Sequence, residues 1–366
     1  MILIPRSISD KVVMTGVYYK NNHPGGISAV VQYWSQYIEN LQYFPMFKEG
    51  NALCKIWCFL NSIIRLFLKL LFDKNVQIVH VHTAAGTDFK RSGIVLSLSK
   101  AMGRKVILHS HASRFKEYYA EVSEKEKAWI VSTINRADVF IVLSRSWKAW
   151  FTGIGVAKEK IIILHNITAY PTINKAIQAE KQRDLDRPIR FLFLGEIGKR
   201  KGVFDIIKAF ANHKETLIDK AMLRIGGNKN EDVLISAIND NELSDIVKFE
   251  GFVSGKVKIE LLNWADVYIL PSYNEGLPIS ILEAMSYGMP IITTPVGGIP
   301  EIVDNTNGML VKPGDNESIF KAMDYYIQNR GMVKIQGNES QNKAREYLPD
   351  FVLNHLKSIY SNMITS

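Results

Sequence analysis

The chain has 366 residues, of which 47% are hydrophobic and 22% charged, a balance typical of a globular protein and not of a disordered one. A chain of this length usually forms two domains. The net charge of +9 is compatible with an anionic membrane or a phosphorylated substrate, but we predict no nucleic-acid partner because no known nucleic-acid-binding pattern accompanies it.

The basic excess lies in the first half, where residues 1–170 hold 22 Lys and Arg against 11 Asp and Glu. The two cysteines, Cys54 and Cys58, are too few for a structural zinc site or a disulfide framework, so a reducing cytoplasm is expected. Residues 1–11 lack the pattern of a secretory signal, and no run of eighteen apolar residues predicts a membrane span. We expect a cytoplasmic protein, with the inner face of the cell membrane as an alternative.

Short apolar strands alternate with helical stretches, which predicts parallel sheets covered by helices. The predicted strands of the first half are Lys11–Thr15, Ile78–His82, Lys105–His109, Val139–Leu143 and Ile161–Leu164. Those of the second half are Arg190–Leu194, Met222–Ile225, Val247–Phe249, Val267–Leu270, Ile291–Thr293 and Met309–Val311. We predict an α/β protein with two Rossmann-like domains whose sheets face each other across a cleft, joined by a hinge over Thr168–Pro188.

A glycine pair, Gly25 and Gly26, follows the first strand in the sequence PGGISAVVQ. Glycines let the backbone approach a ligand closely, and the helix that follows offers its amino terminus. The pattern is not G-x-G-x-x-G, so a nicotinamide dinucleotide is disfavoured. A plain tight turn is the alternative.

An amphipathic helix is predicted over Ala52–Asp73. Its polar positions fall on one face about 120° wide, and they are Lys55, Asn61, Ser62, Arg65, Lys69 and Asp73. A broad apolar face with basic residues on the polar side suits a helix that lies on a membrane. An ordinary helix packed on a sheet explains the pattern equally well.

Four histidines lie on two neighbouring predicted strands, at His80, His82, His109 and His111. We expect only one of His109 and His111 to face a given side of the strand end, and we favour His111 as the site residue and His109 as a core residue. His80 and His82 together with His111 could mimic a metal site, but no carboxylate or thiol is obviously placed to complete it. The Asp-x-Asp at Asp184–Asp186 is interpreted as solvated charge in the hinge, and we predict no metal.

The second half contains a basic turn after a strand, FLGEIGKRKG, with Lys199, Arg200 and Lys201 before Gly202. Cations at a strand end suit phosphates, although a solvated basic turn is the alternative. A further turn after a strand, at Gly251–Ser254, is open to the same two interpretations.

The segment Pro271–Pro290 places Glu275 and Glu283 eight residues apart. Pro278 suits the first turn of a helix, and Gly288 with Pro290 ends it. The amides at the helix start, near Gly276 and Leu277, therefore predict an anion site with a carboxylate on each side. A diphosphate between two hydroxyl-rich sugars fits such a site.

This series resembles the Glu-x7-Glu motif of the retaining family-4 glycosyltransferases of the GT-B fold, known as glycosyl transferases group 1. The strand Val267–Leu270 precedes the motif, and the strand Pro290–Thr294 and the Gly-Gly turn of Pro295–Val303 follow it. The resemblance covers essentially the whole chain, with the motifs in the family's order. It extends to the enzymes of bacterial surface-polysaccharide assembly.

The resemblance implies a role for each motif. Glu283 would bind the ribose of a nucleotide-sugar donor, and Glu275 would bind its sugar. The donor is expected to be UDP-linked. Lys201 would stabilise the departing diphosphate. His111 would contact the donor sugar and complete a catalytic set with Glu275 and Lys201. The full donor-binding set is Gly25, Gly26, Arg200, Lys201, Val253, Glu275, Gly276, Leu277, Pro278 and Glu283.

One position departs from the family pattern, since Glu196 stands where the family has an arginine. Either Arg200 or Lys199 replaces that charge, or one cation suffices. The resemblance also implies an acceptor-binding domain over residues 1–168, a nucleotide-sugar-binding domain over 169–345, and a terminal helix over 346–366 that crosses back. The acceptor would be a saccharide. The basic first half and the amphipathic helix favour a lipid-linked saccharide at an anionic membrane, with a soluble saccharide as the alternative. No cofactor is expected.

Two alternatives to a transferase stay open at this point. A nucleotide-sugar epimerase or hydrolase of the same fold would bind the same donor without an acceptor. A non-catalytic scaffold, partner to an active glycosyltransferase, should have lost Glu283 or the phosphate-binding cations. This chain keeps most of them, although Glu196 gives the scaffold alternative slight support.

Overall fold

The structure is a computed structural model that describes residues 1–20, 25–111, 113–177 and 186–365. Its strands are β1 (Val12–Val17), β2 (Gln42–Phe47), β3 (Ile78–Thr83), β4 (Lys105–Ser110), β5 (Val139–Val142), β6 (Ile161–Ile163), β7 (Ile189–Leu194), β8 (Ala221–Gly226), β9 (Val247–Phe249), β10 (Val267–Leu270), β11 (Ile291–Thr293) and β12 (Gly308–Leu310). The predicted strands are present within a residue or two at their ends. Asp184 and Leu185 lie outside the described residues, so the interpretation of the Asp-x-Asp segment stays a prediction.

The helices of the described residues lie between and around these strands. They are α1 (Arg6–Ser9), α2 (Gly26–Trp34), α3 (Ala52–Phe72), α4 (Thr87–Ala101), α5 (Phe115–Glu121), α6 (Glu124–Arg136), α7 (Arg145–Gly153), α8 (Val203–Asn212), α9 (Lys214–Leu217), α10 (Glu231–Asp240), α11 (Gly255–Trp264), α12 (Ile279–Ser286), α13 (Asn316–Gln328), α14 (Arg330–Ala344) and α15 (Pro349–Thr365). Short 3-10 turns occur at Lys158–Lys160, Lys199–Lys201, Ile299–Glu301 and Arg345–Tyr347. In the part of the chain that the structure describes, no helix has the length and apolar character needed to cross a bilayer.

The chain divides into two compact units, one of Met1–Ile167 with Leu348–Ser366 and one of Thr168–Tyr347. Each unit contains a sheet of six parallel strands, which confirms the predicted α/β class. The first sheet has the order β2-β1-β3-β4-β5-β6, and the second has the order β12-β11-β10-β7-β8-β9. Central strands such as β3 are buried along their whole length, because helices cover both faces of the sheet.

The terminal helix α15 belongs to the first unit. The Tyr360 hydroxyl on this helix lies 2.6 Å from His80 Nδ1 on β3, and the Lys105 amine on β4 donates to the Met363 carbonyl at 2.7 Å. The last helix is therefore fixed to the sheet by buried side chains and not only by its apolar face.

Strand β2 was not predicted from the sequence. It forms one edge of the first sheet, pairs only with β1, and has a single fully buried residue, Met46. It also contains Pro45, which a strand tolerates at an edge because no ladder hydrogen bond is required on the open side. With Pro45 in its middle and no Val, Ile or Thr, β2 lacks the sequence features that indicate a strand.

Each sheet has one point where the strand order reverses. In the second sheet the chain adds β8 and β9 on one side of β7 and then returns to add β10 on the other side. The loops after β7 and β10 therefore leave neighbouring strands in opposite directions, and a crevice opens between them. Ligands of parallel α/β sheets bind in such crevices at the carboxyl ends of the strands.

Candidate functional site

The basic turn and the first glutamate of the motif meet at the crevice of the second sheet. Lys201 ends the 3-10 turn after β7, and Glu275 lies in the loop after β10. The Lys201 amine is 2.5 Å from Glu275 Oε1, and the two side chains are only 14% and 5% exposed. The Ser272 hydroxyl donates to the same carboxylate oxygen at 2.8 Å. The site therefore holds one cation and one carboxylate, both largely shielded from water and aimed at the same place.

Two glycines allow the loops to pack this closely. Gly202 has φ +71°, and a Cβ at this position would overlap the Pro271 carbonyl oxygen at the end of β10. Gly297 has φ +58°, and a Cβ there would overlap the Glu275 carbonyl. The Gly298 amide also donates to the Gly276 carbonyl at 2.8 Å. The Gly-Gly turn identified in the sequence thus supports the segment that carries Glu275.

The second glutamate, Glu283, lies on α12 and is 6% exposed. Its Oε1 is 2.6 Å from the amine of Lys258, which lies on α11. Lys258 was not predicted as a site residue. It lies in the first turns of α11, just after the Gly251–Ser254 turn that follows β9, and this position was the signal available in the sequence. Pairing of each buried glutamate with a lysine follows from the cost of burying an uncompensated charge.

The helix of the motif begins one residue later than predicted. Pro278 is its N-cap, with extended backbone at φ −72° and ψ 121°, and the first helical residue is Ile279. The Pro278 carbonyl accepts from the Leu282 amide at 3.4 Å, as an N-cap carbonyl should. At the other end Gly288 has φ +75°, which confirms the predicted stop. Leu277, between Glu275 and the helix, is buried at 3% exposure.

Glu196, which replaces the family's arginine, is surrounded by cations. The Lys229 amine lies 3.1 Å from its carboxylate, and Arg200 Nη2 lies 3.8 Å away. Arg200 Nη1 also donates to the Asn274 carbonyl at 3.3 Å, next to Glu275. The cationic character of the turn is thus retained, and Lys229, which the sequence analysis also missed, contributes to it from the loop after β8.

The Gly251–Ser254 turn lies at the same edge of the sheet. The Gly227 amide donates to the Gly251 carbonyl at 2.8 Å. Gly226, the last residue of β8, has no room for a side chain because Val253 would contact its Cβ at 2.6 Å. Val253 is therefore placed beside the end of β8, two strands from β10 in the sheet order.

The remaining predicted site residues belong to the first unit. Gly25 is the N-cap of α2 with φ +133°, and Gly26 is the first residue of the helix. A Cβ on Gly26 would meet nothing within 4 Å, so open space adjoins this helix start. Pro24, which precedes the pair, lies outside the described residues.

The four histidines form one cluster, so the expectation that His109 and His111 could not share a side was wrong. Residues two positions apart on a strand point to the same face, and the rings of His109 and His111 are 4.0 Å apart. His82 Nδ1 lies 2.9 Å from His111 Nε2, and His80 Nε2 lies 3.2 Å from His109 Nδ1. The histidines on β3 are therefore hydrogen-bonded to those on and just beyond β4.

Desolvation keeps this cluster neutral at physiological pH. It lowers the pKa of both His80 and His111 to about 3, from an ordinary value of 6.5. Burial likewise holds the pKa of His82 and His109 well below that value. A neutral His111 can exchange hydrogen bonds with a ligand, but it is a weak acid–base group near pH 7.

Three of these rings could hold a metal, since ligand nitrogens of His80, His82 and His109 all lie within 4.8 Å of one another. The group contains no carboxylate or thiolate. Both ring nitrogens of His80 are engaged, one with the Tyr360 hydroxyl and one with His109, and His82 Nδ1 is engaged with His111. His82 Nε2 and His109 Nε2 are buried without a hydrogen-bond partner among the described residues. The prediction that the protein holds no metal stays a prediction.

The sequence models of two protein families match successive parts of the chain. Glycosyltransferase Family 4 matches residues 28–168, and Glycosyl transferases group 1 matches residues 174–347. Together they include all of the site residues described above except Gly25 and Gly26.

Several known proteins are similar to this chain. An uncharacterized glycosyltransferase of Methanocaldococcus jannaschii is 27% identical over 262 residues, 69% of this chain and 67% of that protein. The amylovoran biosynthesis glycosyltransferase AmsK of Erwinia amylovora is 26% identical over 255 residues, 68% of this chain and 60% of the relative. The matches thus span about two thirds or less of the relatives' length. The crystal structure of HepE from Anabaena in complex with UDP shares the fold, with a TM-score of 0.74 and 17% identity over 97% of this chain and 100% of that one.

Proposed function

The chain belongs to the family-4 and group 1 glycosyltransferases of the GT-B fold, and on this premise we propose that it transfers a sugar from UDP to a saccharide acceptor with retention of configuration. The observation that carries the proposal is the buried pair of Lys201 and Glu275 at the point where the second sheet reverses its strand order. A cation and a carboxylate in contact there offer one partner for a diphosphate and one for sugar hydroxyls. HepE, which shares the fold, was crystallised with UDP.

Donor binding would replace the contact between these two side chains. Lys201 donates to Glu275 at 2.5 Å and offsets its charge. With donor bound, the lysine would turn to the diphosphate oxygens, and the carboxylate would accept from hydroxyls of the transferred sugar. Hydrogen bonds in which one partner is charged are the stronger kind, and a site shielded from water strengthens them further.

The ribose would bind at Glu283, whose carboxylate can accept from two vicinal hydroxyls. Lys258, 2.6 Å away, holds that carboxylate in position and offsets its charge. Val253 and the backbone of its turn would adjoin the base. The donor would then lie along the carboxyl ends of neighbouring strands of one sheet.

In the transfer step, the bond between the anomeric carbon and the diphosphate oxygen breaks as the acceptor oxygen bonds to the same face of that carbon. The acceptor's proton passes to an oxygen of the departing diphosphate. Lys201 would stabilise the negative charge that develops on the diphosphate, so neither a protein nucleophile nor a metal is required. His111, neutral near pH 7, would act as a hydrogen-bonding partner of the donor sugar and not as a proton carrier.

We propose a saccharide acceptor, attached to a lipid, in the biosynthesis of a polysaccharide or glycolipid. The support is the relative AmsK, whose name places it in amylovoran biosynthesis. The basic first half of the chain is compatible with an acceptor held at an anionic membrane surface.

The test is to follow UDP release from a panel of UDP-sugars, with and without extracts of lipid-linked saccharides, in buffer that contains a chelator. We expect release that requires an acceptor and that falls by about 10- to 100-fold in Glu275→Gln, since each hydrogen bond from the sugar to a charged group contributes about 1.5–3 kcal/mol. Glu260→Gln, a change at an exposed position on α11, is the matched control. Release without any acceptor, or an epimerised donor, would instead identify the hydrolase or epimerase alternative.

A further inference from the structure

Helix α3 exposes a long apolar face to solvent. Nine large apolar side chains of this 21-residue helix are between 37% and 77% exposed, with Trp57 at 69%. They are Leu53, Ile56, Trp57, Leu60, Ile64, Phe67, Leu68, Leu71 and Phe72. Their spacing of three and four residues places them on one side of the helix. We refer to these nine residues as the α3 stripe.

The opposite side of α3 is the one that packs on the protein. Cys58, Ser62, Leu66 and Leu70 are its buried residues. The Ser62 hydroxyl donates to the Pro45 carbonyl of β2 at 2.6 Å, and Cys58 Sγ lies 3.4 Å from the same oxygen. The helix is therefore fixed to the sheet by a side that includes small polar groups, and Ser62, predicted on the solvated face, is buried instead. The apolar stripe is left over after this packing.

Basic side chains of α3 reach the aromatic rings of β2. The Lys55 amine lies 5.8 Å from the centre of the Phe47 ring, and the Arg65 guanidinium lies 5.6 Å from that of Phe44. By helical spacing Arg65 lies beside Leu68 and Phe72, at the edge of the stripe. Lys55 is exposed in the first turn, on the side of Cys58, and Lys69 is paired with Asp73 at 2.7 Å.

We propose that the α3 stripe docks this protein on the surface of an anionic bilayer, with the helix parallel to the membrane. The apolar side chains would enter the boundary between headgroups and acyl chains, and Arg65 at the edge of the stripe would meet the phosphates of anionic lipids. Lys55, exposed in the first turn of the helix, would add to the local positive charge. A large apolar face combined with basic residues on its border is the composition of helices that lie in a membrane interface. No described helix is suited to span the bilayer, so the contact is peripheral.

Charge favours lipid over a second copy of the chain as the occupant. A symmetric dimer through the stripe would bring the cationic borders of two copies together without acidic partners on α3 to compensate. The first half of the chain adds to this repulsion, with 22 basic residues against 11 acidic ones. Anionic lipid neutralises the same charges, and each Lys or Arg near such a surface contributes about a fivefold gain in binding.

This proposal rests on the proposed function only where the acceptor is concerned. A protein held on the membrane by α3 would diffuse in the same plane as lipid-linked saccharides and would encounter them more often. The residues proposed to bind the diphosphate and the ribose, Lys201 and Glu283, lie in the other unit, and none of the proposed donor residues belongs to the α3 stripe. Vesicle binding and UDP binding can therefore fail independently, and each failure identifies which proposal is wrong.

The experiment is flotation of the full chain with vesicles of phosphatidylcholine alone or with 30 mol% phosphatidylglycerol, a composition chosen for the test. We expect binding to the anionic vesicles at low salt and at least tenfold weaker binding of the double variant Trp57→Glu with Ile64→Glu. The matched control is Val233→Glu with Ile235→Glu, which alters two exposed apolar residues of α10. It should bind vesicles like the wild type, and all three proteins should retain UDP binding as a check of folding.

A second variant separates charge from apolar contact. Lys55→Gln with Arg65→Gln should weaken binding to anionic vesicles by roughly twentyfold, two cations at about fivefold each. The proposal is overturned if the wild type does not float with anionic vesicles, or if the Trp57→Glu double variant floats equally well. A concentration-dependent dimer that the same double variant abolishes, without vesicle binding, would assign the stripe to a second copy of the chain.

Discussion

At the residue scale, the contact between Lys201 and Glu275 contains the chemistry on which the proposed reaction depends. Each side chain is largely buried, and each would leave the other uncompensated if removed. We expect Lys201→Met to weaken UDP binding by about 10- to 100-fold, because hydrogen bonds to charged groups contribute about 1.5–3 kcal/mol. Calorimetric titration with UDP measures this directly.

The matched control for that change is Lys208→Met, which removes an exposed lysine from α8, the helix that follows the same turn. It should bind UDP like the wild type. Equal weakening in both variants would mean that general charge, and not the buried lysine, attracts the nucleotide.

Glu283 makes a different residue-scale prediction, because a ribose ligand has hydroxyls that can be deleted. Wild-type protein should bind UDP more tightly than 2′,3′-dideoxy-UDP, by about tenfold or more. Without the ribose hydroxyls, the buried Glu283 carboxylate would lose the hydrogen bonds that they donate. Glu283→Gln should bind both nucleotides weakly and with little preference. A wild-type protein that does not distinguish the two nucleotides contradicts the assignment of the ribose to Glu283.

At the scale of elements, the junction between the turn after β7 and the end of β10 depends on Gly202. Alanine there would combine a positive φ with an overlap of its Cβ and the Pro271 carbonyl. We expect Gly202→Ala to destabilise the protein by more than the roughly 1–3 kcal/mol that backbone strain alone costs, as measured by urea unfolding. Gly103→Ala is a matched control, since Gly103 has the same φ of +71° but nothing within 4 Å of a Cβ. Equal losses in the two variants would show that the junction does not need the glycine's missing side chain.

The histidine cluster between β3 and β4 makes folding sensitive to acid. In the unfolded chain these rings take up protons as pH falls through about 6.5, whereas burial holds the folded pKa of His80 and His111 at about 3. The contribution to stability is therefore fully present above pH 6.5 and is lost as pH falls from there toward 3. Each such histidine costs about 1.4 kcal/mol per pH unit in that window.

Urea unfolding at pH 7.5, 6.5 and 5.5 tests this dependence. The free energy of unfolding should fall steeply below pH 6.5. In His111→Gln the slope of that free energy against pH should be smaller by about 1.4 kcal/mol per pH unit, the effect of one proton taken up on unfolding. An unchanged slope in the variant would mean that His111 already carries a proton in the folded protein.

Elements differed in how far the sequence could predict them. Strands such as β10, with the sequence VYIL, are apolar runs because both faces of the sheet are covered, and such runs are visible in one sequence. Strand β2 is an edge strand that contains Pro45 and no β-branched residue, so its sequence does not indicate a strand. The two glutamates could be placed by their spacing around a helix start, but the lysine that pairs with Glu283 lies 25 residues away along the chain. Contacts of that kind depend on the order of strands, which the sequence pattern does not specify.

At the scale of the whole molecule, the two units carry different tasks in this account. The unit of Thr168–Tyr347 contains Lys201, Glu275 and Glu283, the residues proposed to bind the donor. They lie at the edge of a sheet whose strand order reverses between β7 and β10. The other unit contains the histidine cluster, the glycine pair and the α3 stripe, together with the excess of basic over acidic residues. The uneven charge therefore follows the proposed division between a nucleotide site and a membrane-facing surface.

The most direct measurement is calorimetric titration of the wild-type chain with UDP and with GDP, in buffer containing a chelator, beside Glu283→Ala. The account predicts binding of UDP without added metal and its loss in the variant. Binding of neither nucleotide, or UDP binding that the variant retains unchanged, would contradict the assignment of the donor site to the edge of the second sheet.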